Sequence, residues 1–306
     1  MRQLINKTPL ISVILPAYNA AKYLAQALES LRYQTYPHFE VIAIDDGSTD
    51  NSYQILKDYA KIDPRFHAYR NSKNLNIART LNRGLRLAKG SFIARMDADD
   101  ISLPNRFKQQ IKFLKKHPNV VVLGGQCKTM DTEDKLIGRK IFPIGNKQIK
   151  EALFTTNPIQ HPTVMINRAL LPKNFSWYNP ELPPAEDYDL FFRLGQFGKY
   201  HNLKVFLLIY RQYLGSSTFK NPVETFNTTL KVRAIAVSEY GYQPSKKAKL
   251  IHSIQVALVR FVPGFLIYPL YVLVRGIKSP LQLIKDYLGE IKSFFRPIHK
   301  SSKLSA

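Results

Sequence analysis

Residues 92–100 read FIARMDADD: a mostly apolar run, Phe92–Met96, breaks directly into a segment with three aspartates, Asp97, Asp99 and Asp100. A short apolar segment that ends on polar turn residues reads as a buried strand. Alternate residues of an extended segment point the same way, so Asp97 and Asp99 can face one site at the carboxyl end of that strand. Two carboxylates held close repel each other, and a divalent cation removes the penalty of burying them. Hard oxygen ligands favour Mg2+ or Mn2+, either of which also bridges a diphosphate. The same residues also suit a solvated acidic turn in which Asp100 caps the next helix.

The pattern repeats outward from there. ISVIL, Ile11–Leu15, reads as a strand ended by Pro16, and Asn19 can cap a helix whose Leu24, Leu28 and Leu31 share a face. Val41–Ile44 is a second strand, ending on DDGSTD at Asp45–Asp50. A helix over Ser52–Ile62 follows, with Ile55, Tyr59 and Ile62 on one side. Ala78–Lys89 is helical until Gly90, and Pro104 opens a helix carrying Phe107, Ile111 and Leu114. Val120–Leu123 is a fourth strand. Strands alternating with helices at this spacing predict an α/β fold, a parallel sheet with helices on both faces. Its ligands belong beyond the carboxyl ends of the strands. Past Gly125 the pattern loosens into strands at Thr163–Asn167 and Val205–Tyr210 and a helix at Tyr188–Phe197; from about Phe219 it is helical and basic.

Three further clusters sit where chemistry is possible. A carboxylate of DDGSTD can accept hydrogen bonds from a ribose or a pyrimidine N–H; equally, Gly47 makes a tight turn and Ser48 or Asp50 caps a helix. Tyr18 of PAYN can stack on a flat base or pack beside the helix. Glu186 and Asp187 open a helix, whose positive end favours ionised carboxylates. Such a group can act as general base towards a hydroxyl, or simply complement the helix. The acidic and aromatic groups at Tyr18, Asp45–Asp50 and Asp97–Asp100 fall at the ends of successive predicted strands.

Composition narrows the classes. Of 306 residues 45% are hydrophobic, enough for a sizeable core. Lys and Arg number 45 against 22 acids, a net charge of +23 that draws the chain to nucleic acid, anionic lipid or phosphorylated substrates. The single cysteine, Cys127, excludes an internal disulfide and a cysteine-based zinc site. The polar, short segment Met1–Pro9 carries no signal-peptide pattern, so a cytoplasmic location is expected. No GxGxxG follows the first strand, against a dinucleotide oxidoreductase. A sugar nucleotidyltransferase would carry a Gly-rich, Arg-containing loop where Pro16–Asn19 stands. The basic residues are not interleaved with aromatics in a reader motif, so no nucleic-acid partner is expected.

Taken together, VILPAYN at Val13–Asn19, DDGSTD, ARTLNRGLRLAKG at Ala78–Gly90, MDADD followed by Leu103–Phe107, and AEDYDLFFRL at Ala185–Leu194 resemble the family-two glycosyltransferases with the GT-A fold, of the bacterial polysaccharide and lipopolysaccharide type. The resemblance implies inverting, metal-dependent transfer of a sugar from a nucleotide diphosphate donor, UDP by preference, to a glycan or lipid-linked acceptor. By position it implies a nucleotide pocket lined by Pro16, Tyr18 and Asn19, with Asp46 on the base and Arg79 nearby. Asp97 and Ala98 would meet the ribose or sugar, Asp99 would ligate Mn2+ or Mg2+, and Asp187 would be the general base with Glu186 beside the acceptor. His161, in QHPTVMINR, would be a substrate contact or a loop anchor. The expected division is a GT-A domain over residues 1–218 and a helical basic region over 219–306.

Within that region Val256–Val274 is apolar but interrupted by Arg260, Pro263, Gly264 and Pro269. As a helix, its part without a charged residue, Phe261–Val274, reaches about 21 Å, short of a hydrocarbon core of about 30 Å. From Lys246 onward there are eleven Lys and Arg against Asp286 and Glu290. Basic flanks around such a stretch predict peripheral attachment to an anionic membrane surface, on the inner face; a buried helical hairpin with a solvated basic side is the other reading.

Overall fold

Every residue of β1 (Ile11–Ala17) and β2 (Phe39–Asp45) is buried, and the two-residue repeat of a strand explains how. Ile11, Val13, Leu15, Val41 and Ala43 join one apolar cluster, while Ile14, Ile42 and Ile44 join another on the opposite face. Each fully buried Leu or Ile contributes about 1.5–3 kcal/mol, so both faces must be covered. This computed structural model describes residues 8–212 and 222–261.

The remaining strands are β3 (Phe66–Arg70), β4 (Phe92–Arg95), β5 (Ile101–Ser102), β6 (Val120–Met130), β7 (Leu136–Lys140), β8 (Met165–Asn167) and β9 (Lys199–Arg211). The helices are α1 (Ala21–Arg32), α2 (Ser52–Ile62), α3 (Ile77–Leu87), α4 (Arg106–Lys116), α5 (Asn146–Leu153), α6 (Glu186–Leu194), α7 (Pro222–Ser238) and α8 (Lys246–Phe261). Leu24, Leu28, Leu31, Leu56, Phe107, Ile111 and Leu114, from α1, α2 and α4, cover one face. Leu81, Leu85, Ile149, Leu153, Leu190 and Phe191, from α3, α5 and α6, cover the other. The result is the expected α/β architecture with helices on both faces of one sheet.

The sheet runs β3-β2-β1-β4-β8-β6-β9-β5, with β7 on β6. It is mixed, not parallel throughout as the alternation predicted. β8 runs antiparallel to β4 and β6, β7 antiparallel to β6, and β5 antiparallel to β9. The reversal at β8 has a local cause: a 3-10 turn at His161–Thr163 sits where β4 ends, so the chain enters β8 from the carboxyl edge and must run back.

Other local expectations also change. β1 continues through Pro16 to Ala17, because its pairing with β4 has already ended at Ile14 and Arg95. Asn19 does not cap α1. It adopts φ +47°, and its side chain accepts from Thr49 N instead. The free N–H groups of Ala20 and Ala21 donate to Ser52 Oγ and Asp50 Oδ2, so the second turn caps the first helix from outside. Ile62 is 59% exposed at the end of α2, where Leu56 takes the inward position.

The compact unit extends to Phe261. Val232 and Ala236 of α7 enter the second apolar cluster. Arg233, buried, donates from Nε to Tyr188 Oη at 3.1 Å and from Nη1 to Gln255 Oε1 at 2.9 Å; Gln255 Nε2 in turn donates to Thr155 O. Most of the apolar stretch Val256–Val274 lies outside the described residues. Among those described, no helix is long and apolar enough to cross a membrane.

Candidate active site

The ends of β1, β2 and β4 make one edge. Ala17 lies beside Asp45 and Ile14 beside Arg95, and Met96 N donates to Ile14 O. Arg95 N donates to Val164 O, which brings the approach to β8 to the same edge. Tyr18, Asp46, Asp97 and His161 all leave the scaffold there.

The turn after β2 is held by its own acids. Asp46, buried, accepts at Oδ1 from Asn71 Nδ2 at 2.6 Å and Leu75 N at 2.9 Å. Asp45, fully buried, pairs with Arg70 Nε at 3.0 Å and accepts from Ser48 N. Gly47 has φ +76°, and a Cβ there would sit 2.6 Å from the carbonyl carbon of Lys73, so the 71–75 loop packs directly onto it. Ser48 Oγ accepts from Asn19 N, which ties this turn to the end of β1. Tyr18 is half exposed beside it, whereas Pro16 is buried within β1. Arg79 stands exposed on the first turn of α3, 3.4 Å from Glu181.

After β4, carboxylate oxygens of Asp97, Asp99 and Asp100 lie within 4.8 Å of one another. Ala98 turns its methyl group into the core, leaving only its backbone to the site. Asp100 is fully buried and is no helix cap: α4 begins at Arg106, and Asp100 Oδ1 accepts from Arg211 N at 2.9 Å. Asp100 Oδ2 is buried with no hydrogen-bond partner among the described residues. Burial raises the Asp100 carboxyl well above the ordinary range, and the charges of Asp97 and Asp99 add to the rise.

Glu186 and Asp187 open α6. Asp187 Oδ2 accepts from Asn157 Nδ2 at 2.9 Å, and Glu186 Oε2 is buried without a hydrogen-bond partner among the described residues. Burial raises both carboxyls; at Glu186 the neighbouring Asp187 is the next cause. Arg95 joins the two acidic groups. Its buried guanidinium pairs with Asp97, and its charge opposes the rise at Asp100, Glu186 and Asp187 alike. Asp97 in turn adds to the rise at Glu186. The acids after β4 and those of α6, far apart in the sequence, therefore lie close enough to act on one another's charge.

His161 bonds a tyrosine from later in the chain. Its Nε2 lies 2.7 Å from Tyr178 Oη, and Tyr178 exchanges two backbone hydrogen bonds with the Asn82 side chain on α3. Burial, reinforced by the charge of Arg95, keeps the imidazole neutral. Arg95, Arg211 and Asn157 were not singled out by sequence reasoning. The one signal for Arg95 was a charged residue at the last position of an otherwise apolar strand. Arg211 donates from Nε to Asp99 O at 2.9 Å and from Nη2 to Gln26 Oε1 at 2.8 Å, fixing the acidic loop against α1.

The sequence model of glycosyl transferase family 2 matches residues 12–174. The chain belongs to that family. An uncharacterized glycosyltransferase of Haemophilus influenzae is 28% identical over 316 residues, covering 95% of this chain and 98% of that protein. Among solved structures, S. aureus TarS in complex with UDP-GlcNAc superposes with a TM-score of 0.62 at 22% identity, over 79% of this chain and 70% of that one. The mannosyltransferase PcManGT of Pyrobaculum calidifontis, in complex with GDP-Man and Mn2+, gives 0.58 at 16% identity, over 89% and 85%. The family-2 transferase thus shares the GT-A-type fold of these enzymes: a mixed sheet with helices on both faces.

Proposed function

We propose that this glycosyltransferase moves a sugar, with inversion, from a nucleoside diphosphate donor, a UDP-sugar by preference, to a hydroxyl of a glycan or lipid-linked acceptor. The observation that carries the reading is the meeting of Asp97–Asp100 and Glu186–Asp187 around Arg95 at the carboxyl edge of the sheet. TarS holds UDP-GlcNAc and PcManGT holds GDP-Man with Mn2+, which supports a nucleotide sugar as donor.

In this reading the donor's nucleotide lies over β1 and β2. Tyr18 offers an aromatic face to the base, Asp46 fixes the turn beneath it, and Pro16, Asn19, Arg79 and the backbone at Ala98 line the approach. Asp99, with Asp97 and Asp100, would hold Mn2+ or Mg2+; three clustered carboxylates and the unpartnered Asp100 Oδ2 fit a hard dication. Such an ion supplies charge stabilisation to the departing diphosphate. Asp187 accepts the proton of the acceptor hydroxyl as its oxygen bonds to the anomeric carbon and the bond from that carbon to the diphosphate oxygen breaks. Glu186 lies beside the acceptor. One displacement inverts the configuration. His161 acts through Tyr178 as an anchor.

Residues 1–218 carry this chemistry, and the basic region 219–306 carries peripheral attachment to the inner, anionic membrane face, where a lipid-linked acceptor would be met. Thermal stabilisation by UDP plus Mn2+, absent with either alone and lost in Asp99→Ala, tests the assignment. Stabilisation by DNA or RNA in their place would overturn it.

A further inference from the structure

α8 presents four apolar residues to the outside. Ala248 is buried against the domain, and Gln255 on the same side bonds Arg233 and Thr155. At about 3.6 residues per turn, Leu250, Ile254, Ala257 and Phe261 fall in one stripe on the opposite side. Leu250, Ile254 and Phe261 are 63%, 51% and 80% exposed, and Ala257 is exposed between them. The same rotation sets Lys247 on one flank of the stripe and Lys246, Lys249 and Arg260 on the other, all exposed. Lys246–Phe261 contains no acid.

We infer that this outer face of α8 is the surface that lies on an anionic lipid bilayer, with the stripe in the acyl boundary and the four cations at the headgroups. An apolar stripe between cationic flanks is the pattern of an in-plane interfacial helix. Charge selects the occupant. A second copy would bring another +23 chain against a cationic face, and residues 262–306 carry seven Lys and Arg against two acids. An anionic surface is complementary to that face, and each nearby Lys or Arg strengthens the attraction. The inference gives residues to the membrane attachment proposed above. Vesicle binding is read without catalysis, so its failure leaves the transfer reading standing.

The full-length protein is mixed with phosphatidylcholine vesicles and with vesicles containing about 30% phosphatidylglycerol. It should sediment with the second only and be released by salt. Leu250→Glu with Ile254→Glu should weaken that binding about tenfold or more, with nucleotide release on a soluble acceptor and the thermal midpoint unchanged. Because Cys127 is buried, a polarity-sensitive dye on Ile254→Cys reports this face alone, and its emission should shift to the blue on anionic vesicles. Wild-type affinity in the double variant, an unshifted dye, or a wild type indifferent to anionic lipid would overturn the inference. So would a dimer that dissociates on the double substitution.

Discussion

Replacing Asp187 with Asn tests the base with little disturbance of shape. Asn157 Nδ2 donates to one carboxylate oxygen of Asp187. The amide of the variant can turn its carbonyl to that donor, so this hydrogen bond survives. The amide cannot take a proton there. A positioned general base contributes about 10²–10⁴ in rate, and a loss of about three decades corresponds to roughly 4 kcal/mol of barrier. The substitution also removes a charge that burial disfavours, so the fold should be no less stable. The assay is kcat from nucleotide release with acceptor, beside donor affinity by calorimetry. Donor affinity should stay within about threefold while kcat falls about a thousandfold. Turnover within about tenfold of wild type would show that the proton leaves by another route.

The same assignment predicts a pH limb. Burial lifts the Asp187 carboxyl above the ordinary carboxylate range. A general base at this position must be ionised, so turnover should fall as pH drops through that raised value, above the ordinary value of about 4. The residual turnover of the variant should lack the limb. A wild-type profile that stays level down to the ordinary carboxylate range would contradict the assignment.

Arg95→Met should lower stability by about 3 kcal/mol in denaturant melts, because it leaves Asp97 and the buried acids of α6 without their cation; an unchanged midpoint would mean that those acids are already protonated. Gly47→Ala forces a side chain into φ +76° and against Lys73, which should cost about 1–3 kcal/mol and weaken donor binding more than turnover. His161→Phe removes the partner of the Tyr178 hydroxyl, about 1–3 kcal/mol of stability. As an anchor, that variant should keep kcat within about tenfold; a larger loss at unchanged stability would indicate direct contact with substrate.

The α/β core was legible because strands covered on both sides leave unbroken apolar runs such as ISVIL and VIAI, and amphipathic helices separate them. Strand direction was not. β8 has three residues, too few for periodicity, and its orientation follows from the turn that precedes it. β3, FHAYR, is only partly buried and carries no apolar run. At the site the acids were visible as clusters, whereas their basic partners were not. Arg211 reaches Asp99 across 112 residues, and neither residue type nor local spacing reports such a contact. Asp46 and His161 illustrate a second limit. A sequence shows that a polar residue stands at a strand end, but Asn71, Leu75 and Tyr178, which occupy part of its bonding capacity, arrive from later in the chain.

The acids after β4 and those of α6 share a set of buried cations. Arg211 spends its guanidinium on the carbonyls of Asp99 and Asp131 and on Asp134 and Gln26, and Arg106 on the carbonyls of Arg95 and Val164. Arg95 is the guanidinium that acts on both acidic groups, and Asp97, Asp100, Glu186 and Asp187 all bear on it. Desolvation outweighs these cations, and it raises the carboxyls of Asp100, Glu186 and Asp187. The shortfall is met by protons, or by a dication held by Asp97, Asp99 and Asp100. If so, Mn2+ binding at mildly acidic pH must displace protons. Calorimetric titration with Mn2+ in two buffers of different ionisation enthalpy reads their number directly. Release should be measurable in the wild type and smaller in Asp100→Asn, whose amide carries no acidic proton. Equal heats in both buffers would mean that the carboxylates are already ionised, and that Arg95 with solvent suffices to hold them so.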